Sequence, residues 1–261
     1  MLCQNKNRRL GMLDDLTNLQ ALLKDSTLLA TKGYIAGEWC DGENGQTFPV
    51  YNPARGDVIT DVADISRTQT AEAISIAEKA QKLWAARPAK ERSNLLRNWY
   101  NLMMENQEDL ATILTAEQGK PIEEAKGEIA YGASFIEFFA EEAKRVYGET
   151  IPGHQSDKRI TVLKQPVGVA ASITPWNFPN AMITRKAGPA LAAGCAFIAR
   201  PAAETPLSAL AMGILADRAG LPKGILSIIP SSRSSEIGKE FCENPIIRKL
   251  TFTGSTEVGR I

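Results

Sequence analysis

Two short segments of this sequence hold residue types that bind anions or stabilise developing charge. Asn177 lies between Pro175 and Pro179, which restrict the backbone around an amide that can donate a hydrogen bond to an oxyanion. Gly254 and Ser255 form a tight turn that we expect to open a helix, where backbone N–H groups and a hydroxyl can hold a pyrophosphate. The chemistry that suits these residues is phosphate binding and oxyanion stabilisation.

Each segment is also compatible with a purely structural turn. The Gly-x-x-x-x-Gly spacing from Gly254 to Gly259 lacks the following Lys of a Walker loop and differs from the usual dinucleotide fingerprint. A plain strand-to-helix turn explains that spacing equally well, and a structural turn would also explain the two prolines around Asn177. Whether the two segments bind a ligand or are structural turns therefore depends on the strands and helices that position them.

Four short apolar runs alternate with predicted helices in the second half of the chain, at residues 167–173, 196–199, 225–229 and 249–252. Such runs are typical of parallel strands that are covered on both faces. Their starts lie about 25 to 30 residues apart, the length of one strand–helix–strand unit. The pattern predicts an α/β fold with a doubly wound parallel sheet, whose ligand lies beyond the carboxyl ends of the strands. The segments 174–179, 200–203 and 253–259 all follow such runs.

The rest of the chain predicts three further regions. Residues 1–33 are polar and unpatterned, which predicts a flexible arm. In residues 34–147, short strands and turns precede amphipathic helices, and we expect the large aromatic residues to pack in the core: Trp84, Trp99, Phe135, Phe138 and Phe139. Residues 159–164 alternate polar and apolar, so the segment 148–166 predicts a half-exposed hairpin before the sheet region 167–261.

Charge and cysteine content exclude several classes of protein. Thirty basic and thirty acidic residues cancel, so we expect no nucleic-acid or anionic-membrane partner. No run approaches the roughly 20 apolar residues of a membrane span. His154 is the single histidine and no Cys-x-x-Cys pair occurs, so no metal site is predicted. A reduced, soluble cytoplasmic protein is predicted from the four scattered cysteines Cys3, Cys40, Cys195 and Cys242.

Five segments carry a resemblance to a known family: EQGKP at 117–121, IPGH at 151–154, ITPWNFP at 173–179, AMITRK at 181–186 and FTGSTEVG at 252–259. In order and spacing they resemble the N-terminal part of the aldehyde dehydrogenase superfamily, and within it the bacterial succinate-semialdehyde dehydrogenases. The resemblance extends from about Tyr34 to Ile261. It implies an incomplete Rossmann-like cofactor domain with N-terminal helices and a hairpin that bridges subunits of a homo-oligomer.

The resemblance implies NAD(P)-dependent oxidation of a semialdehyde to a carboxylate, as in 4-aminobutyrate degradation. A cysteine thiolate attacks the aldehyde, hydride passes to the nicotinamide, and a water activated by a glutamate hydrolyses the thioester. By this resemblance Asn177 holds the oxyanion, Trp176 lines the cofactor site, and Gly254 and Ser255 contact the pyrophosphate. Arg185 would pair with the substrate carboxylate, which suits a forked guanidinium; a solvated helix charge is the alternative.

Three positions depart from the family pattern at the adenosine end of the predicted cofactor site. The segment that usually begins with a Lys holding the ribose hydroxyls begins here with Arg200 and continues as Pro201, Ala202 and Ala203. A planar guanidinium is not a neutral replacement for a flexible ammonium. Ala203 stands where many NAD-preferring relatives carry a glutamate, which favours NADP over NAD, although Glu204 is adjacent. The third strand is followed by Pro-Ser-Ser at 230–232 rather than by glycine, and this would crowd the adenosine end.

The sequence ends at Ile261, before the family's general-base glutamate, its nucleophilic cysteine and its catalytic domain. Cys195 follows Gly194 and leads into an apolar run, which predicts a small core residue. We therefore expect a truncated chain without dehydrogenase activity of its own. Two alternatives stay open, a non-enzymatic module that binds NADP and a remnant that binds no ligand.

Overall fold

A computed structural model describes residues 16–261, with side chains from Leu19 onward. The α-helices of this part are α1 Leu16–Leu22, α2 Arg67–Ala85, α3 Ala89–Glu105, α4 Gln107–Gln118, α5 Ile122–Glu142, α6 Ala181–Ala193, α7 Pro206–Arg218 and α8 Ser234–Glu243. Its strands are β1 Gly33–Ile35, β2 Glu38–Cys40, β3 Thr47–Tyr51, β4 Val58–Ala63, β5 Glu149–Pro152, β6 Arg159–Val162, β7 Val169–Ile173, β8 Ala196–Arg200, β9 Leu226–Ile228 and β10 Ile247–Phe252. The strands and helices that alternate from β7 onward confirm the predicted α/β class.

The main sheet has six strands in the order β10-β7-β8-β9-β1-β2. β10, β7, β8 and β9 are parallel, and they coincide with the four predicted apolar runs. Phe252 pairs with Ile173, which in turn pairs with Arg200, so three of these strands end at the same level. The predicted parallel strands are thus confirmed, and the segments that follow them meet along the carboxyl edge of the sheet.

A short hairpin closes the side of the sheet beside β9. β1 pairs antiparallel with β9 through Tyr34 and Ile228, and β2 pairs with β1. Tyr34 is buried, and its hydroxyl donates to Asp217 of α7 at 3.2 Å. The sequence predicted short strands in this region but not their place in the main sheet, because pairing between residues so distant leaves no local pattern.

Helices cover both faces of the parallel strands. α6 and α7 connect β7 to β8 and β8 to β9, and because such crossovers are right-handed, both helices lie on one face. The connection from β9 to β10 runs back across the sheet, so α8 lies on the opposite face, where α2 packs beside it. α3, α4 and α5 pack against α6 and α7. The doubly wound arrangement expected from the sequence is therefore present.

The predicted aromatic core is confirmed for the two tryptophans and wrong for Phe138. Trp84 and Trp99 are fully buried, and their indole N–H groups donate to backbone oxygens of α6 and α7 at 2.9 and 3.1 Å. Phe135 and Phe139 are partly buried, whereas Phe138 is 57% exposed. Phe138 lies two residues beyond a buried isoleucine, a rotation of about 200° around the helix, so it points away from the core.

The prediction of a flexible arm over residues 1–33 is wrong for the part of the arm that the structure describes. Leu19 of α1 and Leu28 of the 3-10 helix Ser26–Leu28 are fully buried. The backbone N–H groups of Lys24 and Asp25 donate to the two carboxylate oxygens of Asp109 at 2.9 and 2.8 Å. The leucines of this stretch lie at helical spacing, and this local pattern indicates the buried helix that a prediction from polarity alone misses. Residues 1–15 lie outside the described residues.

β5 and β6 form the predicted hairpin, but the prediction that it is half exposed is wrong. They pair antiparallel with each other, from Glu149 with Val162 to Pro152 with Arg159, and all their residues are exposed. The bridging role implied by the resemblance stays a prediction. Within residues 16–261 no helix has the length and apolar character to cross a membrane, and no group of three or more potential metal ligands occurs there.

Candidate functional site

The winding of the sheet reverses between β7 and β10. From β7 the chain moves outward to β8 and β9, and β10 then returns to the other side of β7. In open α/β sheets, ligands bind outside the carboxyl ends of the strands at such a reversal. Residues 174–180 after β7, here called the Asn177 loop, and the turn 253–257 after β10 flank this point. The fold thus brings together two of the three predicted segments.

Two hydrogen bonds hold these segments in place. The Thr253 N–H donates to Ile173 O at 3.1 Å, which extends the pairing of β10 with β7 by one residue. Lys186 of α6 donates from Nζ to Thr253 Oγ1 at 2.7 Å. Burial, with a smaller contribution from Arg185, lowers the pKa of Lys186. Sequence reasoning gave Lys186 no role, although its place in the AMITRK segment was an available signal.

The Asn177 loop presents its central side chains to solvent. Trp176 is 53% exposed, Phe178 is 37% exposed, and Asn177 is exposed as well. Pro179 and Asn180 are buried and lead into α6. An exposed amide at the end of a buried strand is free to donate to an oxyanion. This placement fits the roles predicted for Trp176 and Asn177, which stay predictions.

A buried ion pair lies beside the Asn177 loop. Lys120 Nζ is 2.6 Å from Glu128 Oε2, and the two side chains are 11% and 1% exposed. Lys120 also donates to Asn177 O at 3.1 Å, and Glu128 Oε1 accepts from the Asn180 N–H at 2.9 Å. Sequence reasoning missed both residues. Lys120 lies in the EQGKP segment, whereas a buried carboxylate within an amphipathic helix leaves no distinguishing pattern.

The turn at Gly254 and Ser255 differs from its prediction. We expected it to open an α-helix, but only the three-residue 3-10 helix Val258–Arg260 follows, and Ser255 Oγ accepts from the Val258 N–H at 3.3 Å. The Gly259 N–H donates to Ser255 O at 3.1 Å and the Arg260 N–H to Glu257 O at 3.2 Å, so the segment forms short turns in place of an α-helix. The predicted helix is therefore wrong for these residues. Gly254 and Ser255 are both exposed, so their donors are accessible.

The segment after β8 is buried, unlike the other two. Arg200 is 6% exposed, and its Nη2 donates to Ser231 O at 2.9 Å and to Ser234 Oγ. Burial lowers the pKa of Arg200. Pro201 and Ala202 are buried too, and Ala203 is partly buried. The Arg200 guanidinium is thus engaged by the loop that leads into α8 and is not presented to a ligand.

The loop that holds Arg200, residues 230–234, is itself anchored on Asp64. The Ser231 hydroxyl donates to Asp64 Oδ1 at 2.9 Å, and the Ser232 hydroxyl donates to Oδ2 at 2.7 Å. The Ser232 N–H donates to Oδ1 at 3.0 Å. Burial alone would raise the pKa of Asp64, but the hydrogen bonds from Ser232 and Ser231 hold it below its ordinary value. The Pro-Ser-Ser departure therefore builds a fixed loop.

A dinucleotide fits two of the three predicted segments. Asn177 and Ser255 offer exposed donors on either side of the winding reversal. Arg200 does not fit the ribose-holding role, because its guanidinium donates inside the protein and its Nε is buried without a partner among the described residues. The adenosine end of the predicted site therefore lacks the cation that the resemblance implies.

Arg185 extends from α6 into solvent. Its guanidinium carbon lies 5.3 Å from the centroid of the Phe135 ring, and Tyr131 packs edge-on against the same ring at 4.7 Å. Among the described residues no carboxylate lies within ion-pair distance of Arg185. An exposed guanidinium supported on an aromatic ring is open to an incoming carboxylate.

The described thiols lie away from the Asn177 loop. Cys195 precedes β8 and Cys242 lies near the end of α8 before β10, so both are at the amino end of the parallel strands. The Asn177 loop is at the carboxyl end. Cys40 lies in β2, four strands from β7 or about 19 Å, and burial raises the pKa of its thiol. Cys195 is buried as predicted, and Cys3 lies outside the described residues.

The sequence matches one known protein family and several of its curated members. The sequence model of the aldehyde dehydrogenase family matches residues 39–261. The chain is 60% identical over 238 residues to glutarate-semialdehyde dehydrogenase of Pseudomonas aeruginosa, and 58% identical over 238 residues to succinate-semialdehyde dehydrogenase (NADP(+)) of Escherichia coli. Each match covers 91% of this chain and 49% of the relative, so the chain spans about half the length of the curated relatives it matches.

The fold matches that of a solved structure from the same family. The crystal structure of aldehyde dehydrogenase from Brucella melitensis biovar abortus 2308 matches with a TM-score of 0.90 at 57% identity. The match covers 91% of this chain and 49% of that chain. Sequence, fold and topology agree, and the chain belongs to the aldehyde dehydrogenase family.

Proposed function

We propose that these residues form the cofactor-binding half of an NAD(P)-dependent semialdehyde dehydrogenase. The observation that carries the proposal is the meeting of the Asn177 loop with the turn 253–257 at the point where the winding of the sheet reverses. Both segments expose hydrogen-bond donors there. The donors lie level with each other because β7 and β10 end in register at Ile173 and Phe252.

Each exposed residue then has a distinct task. The Asn177 amide donates to the oxygen of the aldehyde as negative charge develops on it. The Ser255 hydroxyl and the backbone N–H groups of the turn donate to the pyrophosphate, with the hydroxyl oriented by its bond to the Val258 N–H. The Trp176 ring covers the ligand from the side of the loop. When bound, the nicotinamide ring supplies a hydride acceptor.

The substrate class is a semialdehyde that carries a carboxylate. The names of the Pseudomonas and Escherichia relatives give glutarate and succinate semialdehyde, which differ by one methylene and share both end groups. Arg185 is the exposed cation on α6 that would bind the carboxylate. NADP is the expected cofactor for two reasons. Ala203 stands where a glutamate would repel the 2′-phosphate of NADP, and the Escherichia relative is named for NADP(+). A cytoplasmic, homo-oligomeric assembly stays a prediction.

The 261 residues by themselves are expected to bind cofactor without turning over substrate, because no described thiol lies beside Asn177. The test is an assay of the purified chain with succinate semialdehyde and NADP, with the full-length Escherichia relative as positive control. We expect no NADPH above the blank. Turnover by the chain would contradict this part of the proposal, whereas NADPH binding without turnover supports the whole of it.

A further inference from the structure

We propose that Lys120 and Glu128 are positioning residues for Asn177, and that their ion pair fixes the place of the Asn177 backbone at the end of β7. The inference rests on the proposed role of Asn177 as the oxyanion donor. It assigns a function to two residues that lie on a different part of the chain from the loop they hold.

The Asn177 loop has few other anchors. Of the described hydrogen bonds, two reach residues 175–179: the bond from Lys120 Nζ to Asn177 O, and the bond from the Met182 N–H to Phe178 O. The second lies within the start of α6 and moves with the loop. Lys120 is therefore the described contact that ties the centre of the loop to another part of the fold.

Lys120 is itself held in a fixed place. It stands between Gly119, which ends α4 in a left-handed conformation with φ of 82°, and Pro121, which precedes α5. Gly119 allows the left-handed turn that ends α4, and Pro121 restricts the backbone on the other side of Lys120. The ammonium lies 3.9 Å from the centroid of the Phe178 ring, and this cation–π contact adds a second link to the loop. The long side chain is thus constrained at its base and at its tip.

Glu128 joins the same assembly to the start of α6. Its Oε2 receives Lys120, and its Oε1 accepts from the backbone N–H groups of Asn180 and Ala181 at 2.9 and 3.3 Å. Gly132, one turn further along α5, lets α6 approach closely, because a Cβ there would lie 2.1 Å from Asn180 Oδ1. The carboxylate therefore fixes the end of the loop while Lys120 fixes its centre.

The direction of the Lys120 bond matters for the chemistry. Lys120 donates to the main-chain oxygen of Asn177, so the side-chain amide is not engaged by the anchor. The positive charge of the ammonium is balanced by Glu128 within 2.6 Å. The pair therefore orders the donor without adding net charge beside the reacting carbonyl. A mere core ion pair would stabilise the fold and leave the order of the loop unchanged.

The test measures backbone order in the purified, cofactor-free chain by 15N relaxation. In the wild type we expect Asn177 and Phe178 to have order parameters near 0.85, and in Lys120→Met we expect values below about 0.6. Lys120→Arg keeps the charge and should restore most of the order. Lys126→Met is the matched control, since Lys126 lies on α5, the helix that holds Glu128, and makes a more exposed ion pair with Glu108 of α4 at 2.9 Å. It should leave the loop as in the wild type.

Glu128→Gln keeps the proposal testable if Lys120→Met does not fold. It retains an acceptor for the Asn180 N–H but loses the ion pair, so order should fall at Asn177 and Phe178. Unchanged order in both variants, or an equal loss of order at the loop and in β8, would overturn the proposal. These measurements contain no cofactor or substrate. A failed NADPH titration would therefore count against the proposed function without affecting the test of Lys120 and Glu128.

Discussion

The Asn177 loop and the segment that begins at Arg200 start at the same level of the sheet, yet they use their polar side chains in opposite ways. In the Asn177 loop, Lys120 and Glu128 hold the backbone from outside, so the Asn177 amide is left exposed. After β8, Arg200 is itself the buried anchor. A polar side chain at the carboxyl edge of the sheet is thus available to a ligand only where another part of the fold anchors the backbone that carries it.

The EQGKP segment contributes to both regions. Glu117 is 2% exposed, and its carboxylate oxygens accept from the backbone N–H groups of Leu207 and Ser208, each at 2.7 Å, at the start of α7. Three residues later, Lys120 anchors the Asn177 loop. The oxygens of a carboxyl group at a helix N-terminus satisfy the unpaired N–H groups there. The segment therefore fixes the helices that follow both β7 and β8.

The largest effect that would break the contrast is expected at Asp64. Asp64→Ala removes the acceptor of the 230–234 loop and leaves the hydroxyls of Ser231 and Ser232 without it. The free energy of unfolding should fall by about 3 kcal/mol, because the substitution leaves several donors of the loop without their acceptor. Urea unfolding measures this, and Asp61→Ala on β4, the strand that ends just before Asp64, is the exposed control. A loss no larger than that of the control would contradict the anchoring role.

A smaller effect with a pH signature is expected at Glu117. Burial raises the pKa of Glu117 from 4.5 to about 8. A carboxyl whose folded pKa is raised contributes most to stability below the unfolded pKa, and that contribution declines as the pH rises through the folded value. Between about pH 5 and pH 8 the free energy of unfolding should therefore fall more in the wild type than in Glu117→Gln. The variant itself should cost about 1 to 2 kcal/mol at pH 5.

Urea unfolding of both proteins at several pH values in this range checks the Glu117 prediction. Parallel pH profiles would show that Glu117 does not titrate in this range. If the pH dependence of the free energy of unfolding disappears in Glu117→Gln, it arises from the buried Glu117 and not from the exposed Asn177 loop.

Arg200→Lys should make the segment after β8 more like the Asn177 loop. A lysine ammonium lies one atom nearer the backbone than the Arg200 Nη2 that donates to both Ser231 O and Ser234 Oγ, so we expect it to lose part of this anchoring and to be released in part toward the ligand side. NADPH should bind about fivefold more tightly, the equivalent of about 1 kcal/mol. Isothermal titration of wild type and variant gives the ratio, and equal or weaker binding would show that Arg200 does not limit the adenosine end.

The smallest effect on stability is expected at Asn177. Its side chain is exposed and makes no described hydrogen bond, so Asn177→Ala should change the free energy of unfolding by no more than about 0.5 kcal/mol. Urea unfolding beside Asp64→Ala gives the contrast directly. A loss above about 1 kcal/mol would mean that Asn177 serves the fold.

Local pattern predicted the parts of the fold that depend on local sequence. The four parallel strands follow from apolar runs, and the Asn177 loop follows from its two prolines at the end of one of them. The buried tryptophans follow from helical spacing. These features need only the nearest neighbours along the chain, so the sequence was sufficient for them.

Three features that sequence reasoning missed depend on contacts between distant residues. Arg200 donates to Ser231 O, Glu128 accepts from the Asn180 N–H, and Tyr34 joins β9 at the edge of the sheet. No local pattern states which of two charged residues will be buried. Burial is decided by which partner the fold brings within hydrogen-bond distance.

The central claim is that the Asn177 loop and the turn 253–257 form one cofactor site. The most direct measurement is a titration of the 15N-labelled chain with NADPH, followed by amide chemical shifts. We expect saturable shifts of the Trp176, Asn177, Gly254 and Ser255 amides with one common dissociation constant. A folded chain in which these amide shifts stay unchanged at millimolar NADPH, or in which the two segments respond with unrelated midpoints, would contradict a shared site.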